Sequence, residues 1–178
     1  MSDELVVEKL LMLEYERIKE EQKMRIGFRD NLLYATIASI VAIIGIGYSK
    51  AASVIFLLLP PVSVVLGWTY LMNDEKISSI GRYIRTELAP QVSDASPELS
   101  PIFGWESFHR GDRHRRSRKY FQLVIDLVTF CCFPLASLIA YWTSEPEGFL
   151  AIGCSAIELL AVLYLATQIM VYADTQSA

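Results

Sequence analysis

Residues Gly148–Tyr172 read GFLAIGCSAIELLAVLYLATQIMVY, an apolar run with one carboxylate, Glu158, near its middle. About 20 apolar residues in a helix cross a hydrocarbon core of ~30 Å, and this run has that length. None of its faces is polar enough to meet water, as a surface helix of a soluble domain must. The run reads as a transmembrane helix.

Three further runs share its character. They are Leu32–Tyr48, Ala52–Met72 and Phe121–Trp142, and with Phe149–Tyr172 they hold 17 to 24 residues each. The first is the shortest, and a helix there draws length from its flanks. Of the 178 residues 53% are hydrophobic, with a mean hydropathy of +0.34, and that content is gathered into these blocks. A soluble domain disperses it into short amphipathic stretches. The expected fold class is all-α, a polytopic membrane protein with four transmembrane helices. No cleavable signal peptide is expected, because the first 31 residues are densely charged. Cys131, Cys132 and Cys154 all fall within the runs, which argues against a disulfide framework or a zinc site.

Basic residues predict the orientation. Lys9, Arg17, Lys19, Lys23, Arg25 and Arg29 precede the first run, and nine more, Lys76 to Lys119, lie between the second and third. Fifteen of the sixteen Lys and Arg residues therefore fall on one side, leaving Lys50 on the other. By the positive-inside rule that side is the cytoplasm, which predicts the inner (plasma) membrane with both termini cytoplasmic. Tyr34, Tyr70, Tyr120 and Tyr172 fit an inner aromatic belt, and Tyr48, Tyr141 and Trp142 an outer one. The chain divides into a charged cytoplasmic helix (1–31), a transmembrane hairpin (32–72), a cytoplasmic loop (73–120), a second hairpin (121–172) and a short cytoplasmic tail (173–178).

The stretch DELVVEKLLMLEYERIKEEQKMRIGFRD (3–30) predicts a long helix, supported by the pairs Glu14/Arg17, Glu16/Lys19 and Glu21/Arg25. Leu11, Tyr15, Ile18 and Gln22 form a narrow stripe, suited either to a solvated stalk or to packing against neighbouring subunits. In the loop, Asn73 or Asp74 is placed to cap a short helix, DEKISSIGRYIRTEL, whose Ile77, Ile80, Ile84 and Leu88 face one way. Pro90 is expected to end it, and APQVSDASPELSP reads as irregular loop.

The basic run Arg110, Arg113, Arg115, Arg116, Arg118 and Lys119 is placed to meet anionic lipid head groups. The alternative is a nucleotide or nucleic-acid contact, with Phe103, Trp105 and Phe108 as stacking groups. His109 and His114 lack partners at a zinc spacing, so no metal site and no cofactor are expected. Ala35, Ala38, Ser39, Ala42 and Gly45 line one side of the first span, which suits close helix approach in lipid. Pro60, Pro61 and Pro134 are expected to kink the second and third spans.

Asp126 lies ~9 Å inside the third span and Glu158 ~14 Å inside the fourth, counted from their nearer edges. Asp126 is near enough to the cytoplasmic edge to reach water or the Arg115–Lys119 cluster, whereas Glu158 must be protonated, paired within the bundle or reached by water in a cavity. Glu158, Ser155, Leu165, Gln168 and Tyr172 form a partly polar face that belongs against protein or a pore. Asp126 and Glu158 sit at different depths, and neither a phosphate-binding Gly loop nor a zinc-helix motif is present, so no enzyme is expected.

The segment EYERIKEEQKMRIGFRDNLLYATIAS (Glu14–Ser39), a charged helix running straight into a span, resembles a recurrent pattern in small four-span bacterial membrane proteins. SIGRYIRTEL (Ser79–Leu88) is similar to their cytoplasmic loop helix. The resemblance implies the architecture of membrane effectors in antiphage defence, triggered by a partner protein or a nucleotide signal. Four short spans do not easily enclose a pore, so the expectation is a homo-oligomeric effector or ion channel. Glu158, Gln168, Asp126 and Ser155 would be its intramembrane polar groups. Its partners would be the bilayer, its own copies and a cytoplasmic protein or nucleic-acid regulator. A non-conducting anchor that displays its cytoplasmic helices to a soluble partner is the alternative, and a transporter using Glu158 as an ion site is a third.

Overall fold

The computed structural model describes residues 2–50, 53–95, 115–144 and 148–173. They are helical throughout apart from short turns. Helix α1 spans Ser2–Lys50 without a break at Gly27. A 3-10 helix, Ser53–Leu58, leads into α2, Leu59–Tyr83. A π turn, Ile84–Leu88, joins α2 to α3, Ala89–Ala95. Helix α4 covers Arg115–Leu127, a second π turn Val128–Cys132, α5 Phe133–Trp142 and α6 Phe149–Tyr172. Four helical stretches are long and apolar enough to cross a membrane. Among the described residues the protein is therefore all-helical, with the lengths and apolarity of a four-span membrane protein.

Two compact units emerge, and they interleave along the chain. The first, a helical pair, takes Met1–Phe28 and Asn73–Arg116. Its core is Ile84, Leu88 and Val92, packed against Leu11, Met12, Tyr15 and Ile18 of α1. The two apolar stripes seen in the sequence are thus each other's partners, rather than a solvated stalk. Polar bonds flank this seam at three levels. Tyr83 Oη donates to Glu14 Oε1 at 2.7 Å, Gln22 Nε2 to the Ile77 carbonyl at 3.4 Å, and Asn73 Nδ2 to the Arg25 carbonyl at 2.6 Å.

Several local expectations are corrected here. Asn73 caps nothing: α2 runs through it, and its side chain is buried and spent on α1. Arg25 pairs with Glu21 at 2.6 Å as expected, but Arg17 pairs with Glu20 at 3.1 Å, and Glu14 accepts from Tyr83. Pro90 does not end the helix, and residues 89–95 are helical rather than loop. The reason is the π turn before it. The Ala89 amide bonds five residues back to the Ile84 carbonyl, which widens the turn where the proline ring would otherwise strike the carbonyl four residues behind. Pro134 repeats the arrangement, with the Phe133 amide bonded to the Val128 carbonyl. Pro60 and Pro61 sit in the first turn of α2, after the 3-10 helix, where a missing N–H costs nothing.

The Tyr83–Glu14 bond carries a pH signature. The carboxylate accepting the bond raises the phenol's pKa above its ordinary 10.0. A raised pKa means that the bond stabilises the folded unit fully below the ordinary value and is lost as pH climbs through the raised one. Spectroscopic titration of tyrosinate should therefore show a late phenol that Tyr83→Phe removes. That variant should also lose less stability across the same alkaline range than the parent chain.

The second unit, Arg29–Met72 with Ser117–Ala178, is the apolar bundle. Leu32 of α1, Tyr70 and Leu71 of α2, Phe130 and Cys131 of the second π turn, and Val162, Leu165 and Ile169 of α6 form its core. Outside that core the unit is apolar on its surface: Leu150 is 82% and Val171 73% exposed. Tyr70 and Tyr141 are buried, not belt residues. Tyr70 tilts against Phe130, with ring centroids 5.0 Å apart, and its hydroxyl accepts from Gln122 Nε2 at 3.2 Å.

The face that α1 buries in this bundle is Leu32, Thr36, Ile40 and Gly47. Ala35, Ala38, Ala42 and Gly45 lie on the opposite side and are exposed, with nothing within 4 Å of a Cβ built on Gly45. The close approach falls elsewhere, at Gly47 against Phe56 and at Gly67 against Leu165 and Phe130.

Candidate functional site

Helix α6 buries Ser155, Val162, Leu165 and Ile169. At 100° per residue these positions share one face, and Glu158 falls at its centre. The side chain is half-buried, with Oε2 enclosed and lacking a hydrogen-bond partner. A carboxylate here faces the interior of its own bundle rather than the surface of α6 formed by Ile157, Leu160 and Tyr164.

Its neighbours on the same face differ in how well they are satisfied. Ser155 Oγ donates to the Ile152 carbonyl at 2.8 Å and accepts from Trp142 Nε1 at 2.9 Å. This bond ties α5 to α6 beside the 143–148 connection, hereafter the turn end. Gln168 is half-buried further along the helix, and Tyr172 is exposed. Ser155 is thus a structural clamp, and Glu158, one turn beyond it, carries the unanswered polarity.

Asp126 on α4 is buried as well, but at another level. Phe130 and Leu165 both lie against Gly67, which sets their relative height. Asp126 is one turn from Phe130 on the side away from the turn end, and Glu158 is two turns from Leu165 on the side toward it. At ~1.5 Å per residue the two acids stand ~16 Å apart along the bundle. They are not brought together.

Among the basic residues, Arg115 and Arg116 open α4, Arg118 is exposed and Lys119 half-buried. Arg110 and Arg113, with Phe103, Trp105, Phe108, His109 and His114, lie outside the described residues. Ser63, which no pattern in the sequence singles out, is 0% exposed, and Tyr141, expected in the outer aromatic belt, is 1% exposed. Neither Ser63 Oγ nor Tyr141 Oη has a hydrogen-bond partner. Thr36 and Ser137 answer their own polarity by donating to the Leu32 and Pro134 carbonyls, at 2.8 and 2.7 Å; Ser63 does not. A usable sign existed for Tyr141. It lies three residues beyond Leu138, on the face already marked by Phe130 and Pro134. No family model, curated protein or solved structure matches the chain.

Proposed function

We propose that the chain is a homo-oligomeric effector of the bacterial inner membrane, with both termini in the cytoplasm, that passes cations when a cytoplasmic signal engages its helical pair. The observation that carries this reading is the Glu158 carboxylate, centred on the buried face of α6 with one oxygen unanswered. An acid so placed is expensive in a membrane and is usually retained for an ion or proton path. Orientation rests on the basic residues, fifteen of sixteen on one side. Oligomerisation is supported by the small, exposed face of α1 at Ala35, Ala38, Ala42 and Gly45, which suits a second helix at close range. The helical pair, fed by the same chain segments as the first two spans, is the natural receiver of a protein or nucleotide trigger. Antiphage defence is the setting to which the resemblance leads.

The test is cation flux from liposomes holding purified protein, wild type beside Glu158→Gln, with oligomer size measured for both. Wild-type flux should fall at least tenfold in an equally assembled mutant. An intact wild-type oligomer without flux would leave the non-conducting anchor as the better reading.

A further inference from the structure

Among the described residues of the bundle unit, three buried oxygens lack a hydrogen-bond partner: Ser63 Oγ, Tyr141 Oη and Glu158 Oε2. They come from three different helices, α2, α5 and α6. Burying one such group in apolar surroundings is costly, and protein interiors seldom leave several unanswered without a ligand or water to meet them.

Two contacts show that these oxygens occupy neighbouring levels. Gly67 lies against Leu165, where a Cβ would come within 2.8 Å of Leu165 Cδ2. Counting from there toward the turn end, Ser63 is ~6 Å along α2 and the Glu158 backbone ~10 Å along α6. The second contact is the 2.9 Å bond from Trp142 Nε1 to Ser155 Oγ. It sets Tyr141, one residue before Trp142, just on the turn-end side of Glu158, which lies one turn beyond Ser155.

Side-chain direction then closes the gap. Helical side chains lean toward their own N-terminus. Helices α5 and α6 are joined by a short connection and run oppositely, so Tyr141 leans away from the turn end while Glu158 leans toward it. Ser63, on a helix that leaves the turn end as α6 does, leans the same way as Glu158. The 3-10 helix at the head of α2 lies against α5, which keeps Ser63 and Tyr141 in one interior. The three oxygens therefore stand inside the bundle at levels within about one helical turn of one another.

We propose that Ser63, Tyr141 and Glu158 form an internal site for one small monovalent cation of the sodium class. The ligand class follows from the donors. All three are hard oxygens, which suit alkali and alkaline-earth ions rather than soft metals. A single carboxylate neutralises one positive charge, whereas a divalent ion would leave a net charge in a low-dielectric interior. The two hydroxyls supply dipoles whose oxygens are free to turn toward the ion. The site deepens the ion-passing role proposed above, but its test reads binding and not passage.

Thermal unfolding of the purified full-length protein in detergent, in sodium chloride or in N-methylglucamine chloride at equal ionic strength, provides that test. A ligand bound only by the folded state raises the unfolding midpoint as its concentration rises. The wild-type midpoint should climb saturably with sodium, and Glu158→Gln should abolish the climb. Tyr141→Phe, which preserves the ring, should shift the half-saturating sodium concentration upward by about tenfold, as loss of one oxygen ligand predicts.

Equal wild-type midpoints in the two salts would overturn the proposal, as would a sodium response that survives in Glu158→Gln. A midpoint that follows pH alone, with a protonated-carboxyl infrared band lost in Glu158→Gln, would overturn it in favour of a bound proton. Should Glu158→Gln fail to fold, Tyr141→Phe and Ser63→Ala carry the test, and unshifted sodium dependence in both would sink the site. Sodium binding without liposome flux would keep the site and remove the conduction reading. Flux without sodium-dependent stability would do the reverse.

Discussion

Leu88→Ala should destabilise the helical pair by about 2–5 kcal/mol, the cost of emptying a fully buried leucine position. Leu88 is 0% exposed and sits between Ile84 and Val92 in a core that includes Leu11, Met12, Tyr15 and Ile18. Among the described residues three make up the fully buried part of that core, so losing one removes a large share of what holds the pair together. Hydrogen exchange of the amides in 73–95 should accelerate by orders of magnitude. Leu10, 60% exposed, is the control. Leu10→Ala should change exchange little, since surface substitutions usually lie within about ±0.5 kcal/mol. Equal effects from the two would mean that the Leu88 seam is not what holds the unit.

Gly67→Leu should damage the apolar bundle far more than Gly45→Leu on α1. A Cβ at Gly67 would already lie 2.8 Å from Leu165 Cδ2 and 3.0 Å from Phe130 Cδ1, so even alanine must displace a neighbour. Forcing a larger side chain into a packed core costs about 1–3 kcal/mol and sometimes more. In lipid the effect is concentrated, because helix association there depends heavily on close packing. Gly45→Leu has open space within the protomer and should leave its unfolding midpoint unchanged. If the small face of α1 joins copies, the same substitution should lower oligomer size. One pair of variants thus separates packing inside the protomer from packing between protomers, read by unfolding midpoint and by size.

What the sequence disclosed follows from the physics of each rule. Bilayer thickness imposes a length, and length is directly readable, so the four apolar runs emerge at nearly the residues where α1, α2, α4–α5 and α6 carry them. Amphipathic stripes were also readable, but a stripe does not name its partner. Leu11, Tyr15 and Ile18 found theirs in the segment from Ile80 to Val92, more than sixty residues away. The aromatic-belt rule considers a residue's height and ignores its azimuth, so it placed Tyr70 and Tyr141 at the interface although both point inward. Small residues on α1 marked a smooth face without telling whether the protomer uses it. Glu158 was conspicuous because carboxylates are rare in such runs, whereas Ser63 and Tyr141 were not, since their residue types are ordinary there.

Pro90 misled because the helix-breaking rule assumes a regular α-helix on its N-terminal side. The pattern of buried residues held the correction. Ile80, Ile84, Leu88 and Val92 follow one another at three intervals of four, as do Asp126, Phe130, Pro134 and Leu138. In an uninterrupted α-helix three such intervals rotate the ladder by ~120°, so its last member would leave the seam. A single wide turn absorbs one residue and returns the ladder to within ~20° of its start. Three consecutive fours with a proline just past the middle therefore point to a π turn rather than to a helix end.

Those two wide turns make the chain's helices behave like rulers with one extra graduation. Deleting a single residue from Ile84–Leu88 or Val128–Cys132 removes the surplus and leaves every later side chain with the bearing and the height it had before, provided that the proline's ring is removed with it. The same deletion one turn to either side would swing the rest of the helix through ~100°. Tolerance to shortening within these helices thus falls in two short windows, one in each unit, and a single-codon deletion scan of a gene already carrying Pro90→Ala and Pro134→Ala would find them as two bands of survival.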